Sequence, residues 1–126
     1  MNHSNLVLAF MGDSVFELKI REHFIKTNLV KVNDLTKQCS KFASANGHFQ
    51  IVNYLLNHDL LSEEEIRIYK RARNTKVNTR RKNFDSKTYH ASTGFEALIG
   101  YLYLDNQHNR VDDLIQIIID EFVEKL

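Results

Sequence analysis

Two carboxylates, Asp13 and Glu96, are the residues of this chain whose surroundings point most directly to chemistry. Each lies alone in a mainly apolar run that is compatible with a helix, and the two are far apart in the sequence. An acid on a buried helical face is costly unless something pairs with it. If the two helices crossed, the carboxylates could together bind a divalent cation, which can promote phosphodiester cleavage. For either acid alone, a helix cap, an ion pair or simple solvation is the commoner role.

A basic segment between Arg67 and Lys87 is the second candidate feature. Nine of the 17 basic residues fall in it, against one acid, Asp85, so the net charge of +1 conceals an uneven distribution. The remaining residues carry 8 basic and 15 acidic groups. Such a segment on an acidic body fits an anionic partner that binds at one place, although charge runs are also often disordered.

Composition indicates one domain over residues 1–126. The chain has no proline, only four glycines and 43% apolar residues, and this scarcity of helix breakers favours long helices. The single cysteine, Cys39, excludes an internal disulfide and suits a reducing compartment, so a cytoplasmic protein is expected. The apolar start of the chain runs straight into Asp13, which indicates a first helix rather than a signal peptide. No apolar run is long enough to span a membrane.

Apolar periodicity predicts an all-α fold of about six helices. The first helix covers about residues 4–26 and is expected to be mostly buried through Leu6, Phe10, Val15, Leu18 and Ile25. Asn33 is expected to cap the second helix, and the third covers about residues 45–55.

A capping pattern and further apolar periodicity predict the remaining helices. Ser62 and Glu65 form a capping box that begins a fourth helix, which ends near Arg73. A fifth helix covers about residues 87–105, and an amphipathic sixth helix closes the chain. Residues 75–86 lack apolar periodicity and are expected to form a polar loop or a loosely ordered arm.

The residues around both carboxylates resemble the catalytic domain of the ribonuclease III family. The two segments are Phe10-Met11-Gly12-Asp13-Ser14-Val15 and Phe95-Glu96-Ala97-Leu98-Ile99-Gly100-Tyr101-Leu102-Tyr103-Leu104-Asp105. Full-length members also have acids at the positions of Ala9 and Thr93, which are missing here as they are in the family's short form, Mini-ribonuclease III. Arg71-Ala72-Arg73-Asn74 and Lys82-Asn83 are similar to further motifs of that short form. As in the short form, no double-stranded-RNA-binding domain is expected.

The resemblance implies a ribonuclease III-like helical bundle that acts as an Mg²⁺-dependent endoribonuclease on double-stranded RNA, with Mn²⁺ as a substitute. It implies that Asp13 and Glu96 are both the catalytic residues and the metal ligands. The residues it implies for RNA binding are Arg71, Arg73, Asn74, Lys76 and Lys82. It also implies a homodimer, because each protomer offers one site and a duplex has two strands, and a ribosomal RNA precursor as the substrate.

Two other functions stay open on the residues alone. One is a non-catalytic all-α RNA-binding module, which would use the basic segment without needing Asp13 or Glu96. The other is a helical interaction protein whose basic loop contacts an acidic protein. Glu17, one turn from Asp13, either faces the same site or pairs with Arg21. The six histidines show no metal-ligand spacing, so structural or surface roles are expected for them.

Overall fold

The computed structural model describes residues 3–27, 31–75 and 85–126. Within these ranges it contains six helices and no strand, which confirms the all-α prediction. The helices are α1 (Asn5–Ile25), α2 (Val32–Ala43), α3 (Ala45–Asn57), α4 (Glu63–Arg73), α5 (Ser86–Leu104) and α6 (His108–Phe122). Most of the predicted polar arm, including Lys76 and Lys82, lies outside the described residues. No helix in the described ranges is long and apolar enough to cross a membrane.

Helix α5 is the central element of the fold. Ten of its 19 residues are buried, and α1, α3, α4 and α6 all pack against it. Phe95, Leu98 and Ile99 are completely buried in the main core, which also includes Phe16 of α1. Glu96 is therefore an acid in the middle of the most buried helix, where a carboxylate needs a partner.

Helix α1 is less buried than predicted. Its inner side consists of small and apolar residues, namely Leu8, Ala9, Gly12, Val15, Phe16, Ile20 and Phe24. Of the five positions predicted to be buried, only Val15 is, whereas Leu6, Phe10, Leu18 and Ile25 are exposed. The prediction was wrong because α1 is apolar on nearly all sides, so periodicity alone does not identify the side that packs. The close fit of Gly12 against α5 determines that side.

The position of α4 is fixed at its first turn. The Ser62 hydroxyl accepts a hydrogen bond from the Glu65 backbone N–H at 3.1 Å, and the Glu65 carboxylate accepts one from the Ser62 N–H at 2.8 Å. The predicted capping box is thus confirmed. The same carboxylate accepts hydrogen bonds from Arg110 of α6 at 2.9 Å. Asn33, predicted to cap α2, instead lies inside that helix, because the backbone is already helical from Val32.

Candidate active site

The candidate site lies where α1 and α5 cross at two glycines. A Cβ atom added to Gly12 would lie 1.6 Å from the backbone oxygen of Glu96, and one added to Gly100 would lie 1.9 Å from the backbone oxygen of Leu8. Both distances are far inside van der Waals contact, so the two backbones touch only because glycine has no side chain. Asp13 follows Gly12 directly, and the crossing therefore brings its carboxylate to Glu96.

The two carboxyl groups predicted as metal ligands form a pair at the edge of this crossing. Asp13 is exposed and Glu96 is half-buried, so the pair is open to solvent on one side. Burial, the charge of Asp13 and a hydrogen bond between the two carboxyls together raise the pKa of Glu96 to about 8, with burial the largest cause. A carboxyl with this pKa is mainly protonated near neutral pH unless a cation binds beside it.

The donor set fits a hard divalent cation such as Mg²⁺. This ion commonly takes one or two carboxylates from a protein and completes its shell with water and substrate phosphate. Within the described ranges, no group of three or more His, Cys, Asp or Glu side chains could hold a metal. Ala9 and Thr93, where the resemblance implies acids in full-length family members, are both buried and contribute no carboxylate. Among the described residues, two carboxylates lie at this crossing, those of Asp13 and Glu96.

Ser92, a residue that the sequence did not mark as functional, lies one turn from Glu96. A hydrogen bond from the hydroxyl of Ser92, one turn earlier on α5, favours the charged form of Glu96 and so opposes the rise in its pKa. The Ser92 oxygen lies 2.8 Å from Nδ1 of His48 on α3, and both residues are buried. Burial lowers the pKa of His48 to about 4, so its ring is neutral at neutral pH. The spacing of Ser92 and Glu96 is visible in the sequence, whereas the contact with His48 depends on packing.

The arginines predicted to bind RNA lie at the C-terminal end of α4. Ala72, between the two arginines, is completely buried in a small cluster with Ala97 of α5 and Ala9 of α1. Because these side chains are small, the end of α4 comes close to both helices that carry the carboxyl pair. Gly94 of α5 likewise packs against the ring of Tyr69, one turn before Arg73. The structure therefore packs the end of α4, which carries the arginines, against the two helices that carry the acids.

Arg71 and Arg73 are each held by a neighbouring polar or aromatic side chain. Arg71 Nε donates a hydrogen bond to the side-chain oxygen of Asn5 at 3.2 Å, and Arg73 Nε donates one to that of Asn74 at 3.3 Å. The Arg73 guanidinium also lies over the ring of Tyr69, 5.5 Å from its centroid. None of these partners is an acid, so the contacts orient both side chains while their charges remain available to a phosphate.

Glu17, considered as an additional ligand, pairs with Arg21 instead. The Glu17 carboxylate accepts a hydrogen bond from Arg21 at 2.6 Å, one turn further along α1. This is the pairing that the i, i+4 spacing offered as the alternative. The ion pair accounts for Glu17 without a metal and leaves Asp13 as the acid of α1 that meets Glu96.

Comparison with known proteins defines the class to which this fold and site belong. The family described as Ribonuclease III domain matches residues 6–107, a range that includes both carboxylates and the basic end of α4. The chain therefore belongs to the ribonuclease III family, as its two carboxylate segments predicted.

Individual relatives identify the group within that family. A Mini-ribonuclease 3 from Streptococcus pneumoniae is 39% identical over 112 residues, covering 89% of this chain and 88% of the relative. One from Clostridium tetani is 40% identical over 120 residues, covering 94% and 78%. The crystal structure of a Fusobacterium nucleatum protein has a TM-score of 0.81 and 31% identity over 94% of this chain and 93% of that one. The predicted resemblance to Mini-ribonuclease III is confirmed, and the chain is an endoribonuclease.

Proposed function

We propose that this endoribonuclease cleaves double-stranded RNA with the help of Mg²⁺, for which Mn²⁺ can substitute. The supporting observation is the Asp13–Glu96 carboxyl pair at the crossing of two helices, against which the arginine-bearing end of α4 packs. The pair fits a divalent cation, and the arginines fit the RNA backbone. A duplex is recognised mostly through shape, phosphates and 2′-hydroxyls, which suits a basic surface rather than an aromatic stacking surface.

Each residue of the site has a separate task in this proposal. Asp13 and Glu96 would hold the cation, and Glu96 has to lose its proton before both carboxylates can serve as ligands. When bound, the cation activates the attacking water and neutralises charge on the phosphate oxygens. Arg71 and Arg73 bind phosphates of the same duplex and so fix the scissile strand against the site.

A gel assay of RNA cleavage tests this function. We expect the protein to cut duplex RNA when Mg²⁺ or Mn²⁺ is present and to stop when a chelator removes the ion. We further propose a ribosomal RNA precursor as the natural substrate, and such a precursor should be cut at fewer and more defined positions than an unrelated duplex. Cleavage that persists with the chelator, or a preference for single-stranded RNA, would contradict the proposal.

We also propose that the protein acts as a homodimer built in part on α1. The side of α1 turned away from the core exposes a row of apolar residues, Val7, Phe10, Leu18 and Ile25, with Phe10 79% exposed. The row continues into a groove of about 490 Å³ that is lined by Ile25 and by Val32, Leu35 and Cys39 of α2. A second copy of the chain would cover this surface and present a second site to the opposite strand. The mass of the protein in solution tests the dimer.

A cytoplasmic location is the remaining element of the proposal. Cys39 is a buried, unpaired thiol, and unpaired thiols persist in compartments that keep cysteine reduced. An RNA-processing role in the same compartment agrees with the proposed ribosomal RNA substrate.

The combined substitution of Arg71 and Arg73 by alanine is expected to weaken binding of duplex RNA by about 10- to 100-fold, because each arginine contributes a charge-assisted contact to phosphate. The slope of log affinity against log salt concentration should fall by about two, one unit for each lost contact. Filter binding at several salt concentrations measures both quantities. A matched control is the double variant Lys41→Ala with Lys125→Ala, which removes the same charge elsewhere. An equal change in slope for this control would contradict RNA binding by the end of α4.

A further inference from the structure

We propose that Asn5 is a positioning residue for RNA binding, whose side-chain amide holds the Arg71 guanidinium in the orientation that receives a phosphate and ties it to the helix that carries Asp13. The inference rests on the proposed binding of duplex RNA by the end of α4. Asn5 itself does not need to touch the RNA, because it acts through the orientation of Arg71.

The side-chain amide of Asn5 contacts the end of α4 with both of its polar atoms. Asn5 is the first residue of α1 and is half-buried. Its Nδ2 donates a hydrogen bond to Oγ1 of Thr75 at 2.9 Å and lies 3.5 Å from the backbone oxygen of Arg71. Its Oδ1 accepts a hydrogen bond from Nε of Arg71 at 3.2 Å. These contacts fix the amide in one orientation, since a flipped amide would set its NH₂ against the Nε–H of Arg71.

Thr75 completes this contact and closes the end of α4. Its hydroxyl donates a hydrogen bond to the backbone oxygen of Arg71 at 3.2 Å, and its backbone N–H donates one to the oxygen of Ala72 at 3.1 Å. The last carbonyls of a helix have no partner within the helix and need one from outside. Asn5 therefore binds the terminus of α4 through Thr75, and the backbone from which Arg71 extends is held together with its Nε.

The contact leaves the phosphate-binding part of Arg71 free. A guanidinium has N–H groups on three nitrogens in one rigid plane, and here the Nε–H is directed to Asn5. The two Nη groups remain for a phosphate, which they can bind in a bidentate manner. Among the residues that the structure describes, Arg71 forms no ion pair with an acid. A neutral acceptor thus fixes the plane of the guanidinium without cancelling its charge.

Helix α1 connects this contact to the carboxyl pair. Asn5 and Asp13 lie on the same helix, about 12 Å apart along its axis at the usual rise per residue. Between them, Ala9 shares a small buried cluster with Ala72 of α4. An arginine held by α4 alone would sample several rotamers, and ordering it on RNA would cost binding free energy. Asn5 removes part of that cost in advance.

Filter binding of a labelled duplex RNA, with a chelator present to stop cleavage, tests the proposal. Arg71→Ala is expected to weaken binding about tenfold and to lower the salt slope by about one, because it removes one phosphate contact. Asn5→Ala should weaken binding about three- to fivefold, the effect of leaving one long side chain unordered, with no change in salt slope. The double variant should bind as Arg71→Ala does, because both changes act on the same contact.

Asn5→Asp provides a stricter test because it keeps the shape of the side chain and its acceptor oxygen. An aspartate in the first turn stabilises a helix, so the variant should unfold at the same or a higher urea concentration. Its charge would, however, pair with Arg71 and compete with the phosphate. We therefore expect weaker RNA binding than in Asn5→Ala, with the salt slope lowered by about one.

A control variant and a kinetic measurement separate this role from a purely structural one. The Ser4 hydroxyl accepts a hydrogen bond from the Val7 N–H at 3.2 Å, so Ser4→Ala removes the cap of α1 without touching Arg71. It should lower stability and leave RNA affinity unchanged. In cleavage with saturating Mg²⁺, Asn5→Ala should raise KM about three- to fivefold and leave kcat within about twofold, because damage to the carboxyl pair would lower kcat instead.

Several results would overturn the role of Asn5. They are unchanged RNA affinity in Asn5→Ala or in Asn5→Asp, a double variant that binds more weakly than Arg71→Ala, an equal loss of affinity in Ser4→Ala, and a fall in kcat with KM unchanged. Failure of the proposed function gives a different pattern. If Arg71→Ala with Arg73→Ala binds RNA as tightly as the unmodified protein, the end of α4 is not the RNA surface, and the role of Asn5 is wrong together with it.

Discussion

Replacement of Glu96 by Gln, or of Asp13 by Asn, is expected to slow duplex RNA cleavage about a thousandfold while the protein stays folded. Each change keeps the size of the side chain and removes one of the two charged groups at the α1–α5 crossing. A bound metal stabilises the charge of a phosphoryl transition state by several kcal/mol, and about 4 kcal/mol corresponds to a thousandfold in rate. Initial rates with saturating Mg²⁺ measure the effect.

Glu22→Gln is the matched control for these variants. Glu22 is an exposed acid on the same helix, about two and a half turns from Asp13, and the change removes the same charge. Its cleavage rate should stay within a few-fold of that of the unmodified protein. If either Asp13→Asn or Glu96→Gln cleaved as fast as this control, the assignment of the carboxyl pair as the catalytic metal site would be wrong.

The same Glu96→Gln change is expected to make the metal-free protein more stable at alkaline pH. In the folded chain the pKa of Glu96 is raised to about 8 from an ordinary value of 4.5. Stabilisation by the protonated carboxyl is therefore complete below about pH 4.5 and is lost as the pH rises through about 8. Above pH 8 the metal-free protein has to hold two adjacent negative charges, whereas the variant holds one. A gain of about 2 kcal/mol in unfolding free energy is expected there.

Denaturant unfolding with a chelator, at pH 6 and at pH 9, measures this difference. The increase in unfolding free energy of Glu96→Gln over the unmodified protein should be large at pH 9 and small at pH 6. At pH 9, saturating Mg²⁺ should make the unmodified protein more stable than Glu96→Gln, because the ion stabilises only the protein that binds it. A variant that was less stable than the unmodified protein under all these conditions would show that Glu96 has a structural role instead.

Gly12→Ala is expected to have the largest effect on the fold. The added Cβ would lie 1.6 Å from the backbone oxygen of Glu96, and a backbone atom inside a packed helix cannot turn away as a side-chain end can. Overpacking of this kind outweighs the gain of about 1 kcal/mol that alanine offers in a helix. We expect a net loss of about 3 kcal/mol or more in unfolding free energy, measured by urea denaturation.

Loss of the cation site should accompany this loss of stability. To accommodate the methyl group, α1 must move away from α5, which separates Asp13 from Glu96. Ser14→Ala is the control, because Ser14 is exposed on the same helix and also gains helix propensity without a clash. Normal stability and Mn²⁺ binding in Gly12→Ala would contradict the tight crossing.

Much of this architecture could be predicted from the sequence because it depends on local signals. The capping box at Ser62 sets the start of α4 independently of the rest of the chain, and the absence of proline leaves long helices intact. The two carboxylates could be singled out because each is isolated among apolar residues. Their assignment as a pair, however, required the family resemblance, since no local signal links residues so distant in the sequence.

The remaining features depend on packing and could not be predicted. Which side of α1 faces inward is decided by the glycine contact with α5, so Phe10 was wrongly expected to be buried. The histidine spacing suggested no site, and His48 reaches Ser92 only because α3 lies against α5. Asn33 is a good capping residue by type, yet the helix begins one residue before it.

The crossing of α1 and α5 also bears on when the protein becomes active during its synthesis. Asp13 is made 83 residues before Glu96, and neither acid alone provides the pair of ligands in the proposed cation site. A growing chain therefore carries a complete first helix but not the proposed cleavage site until the fifth helix has emerged and folded against it. Under the proposed function, a chain that has not yet made α5 would be unable to cleave RNA.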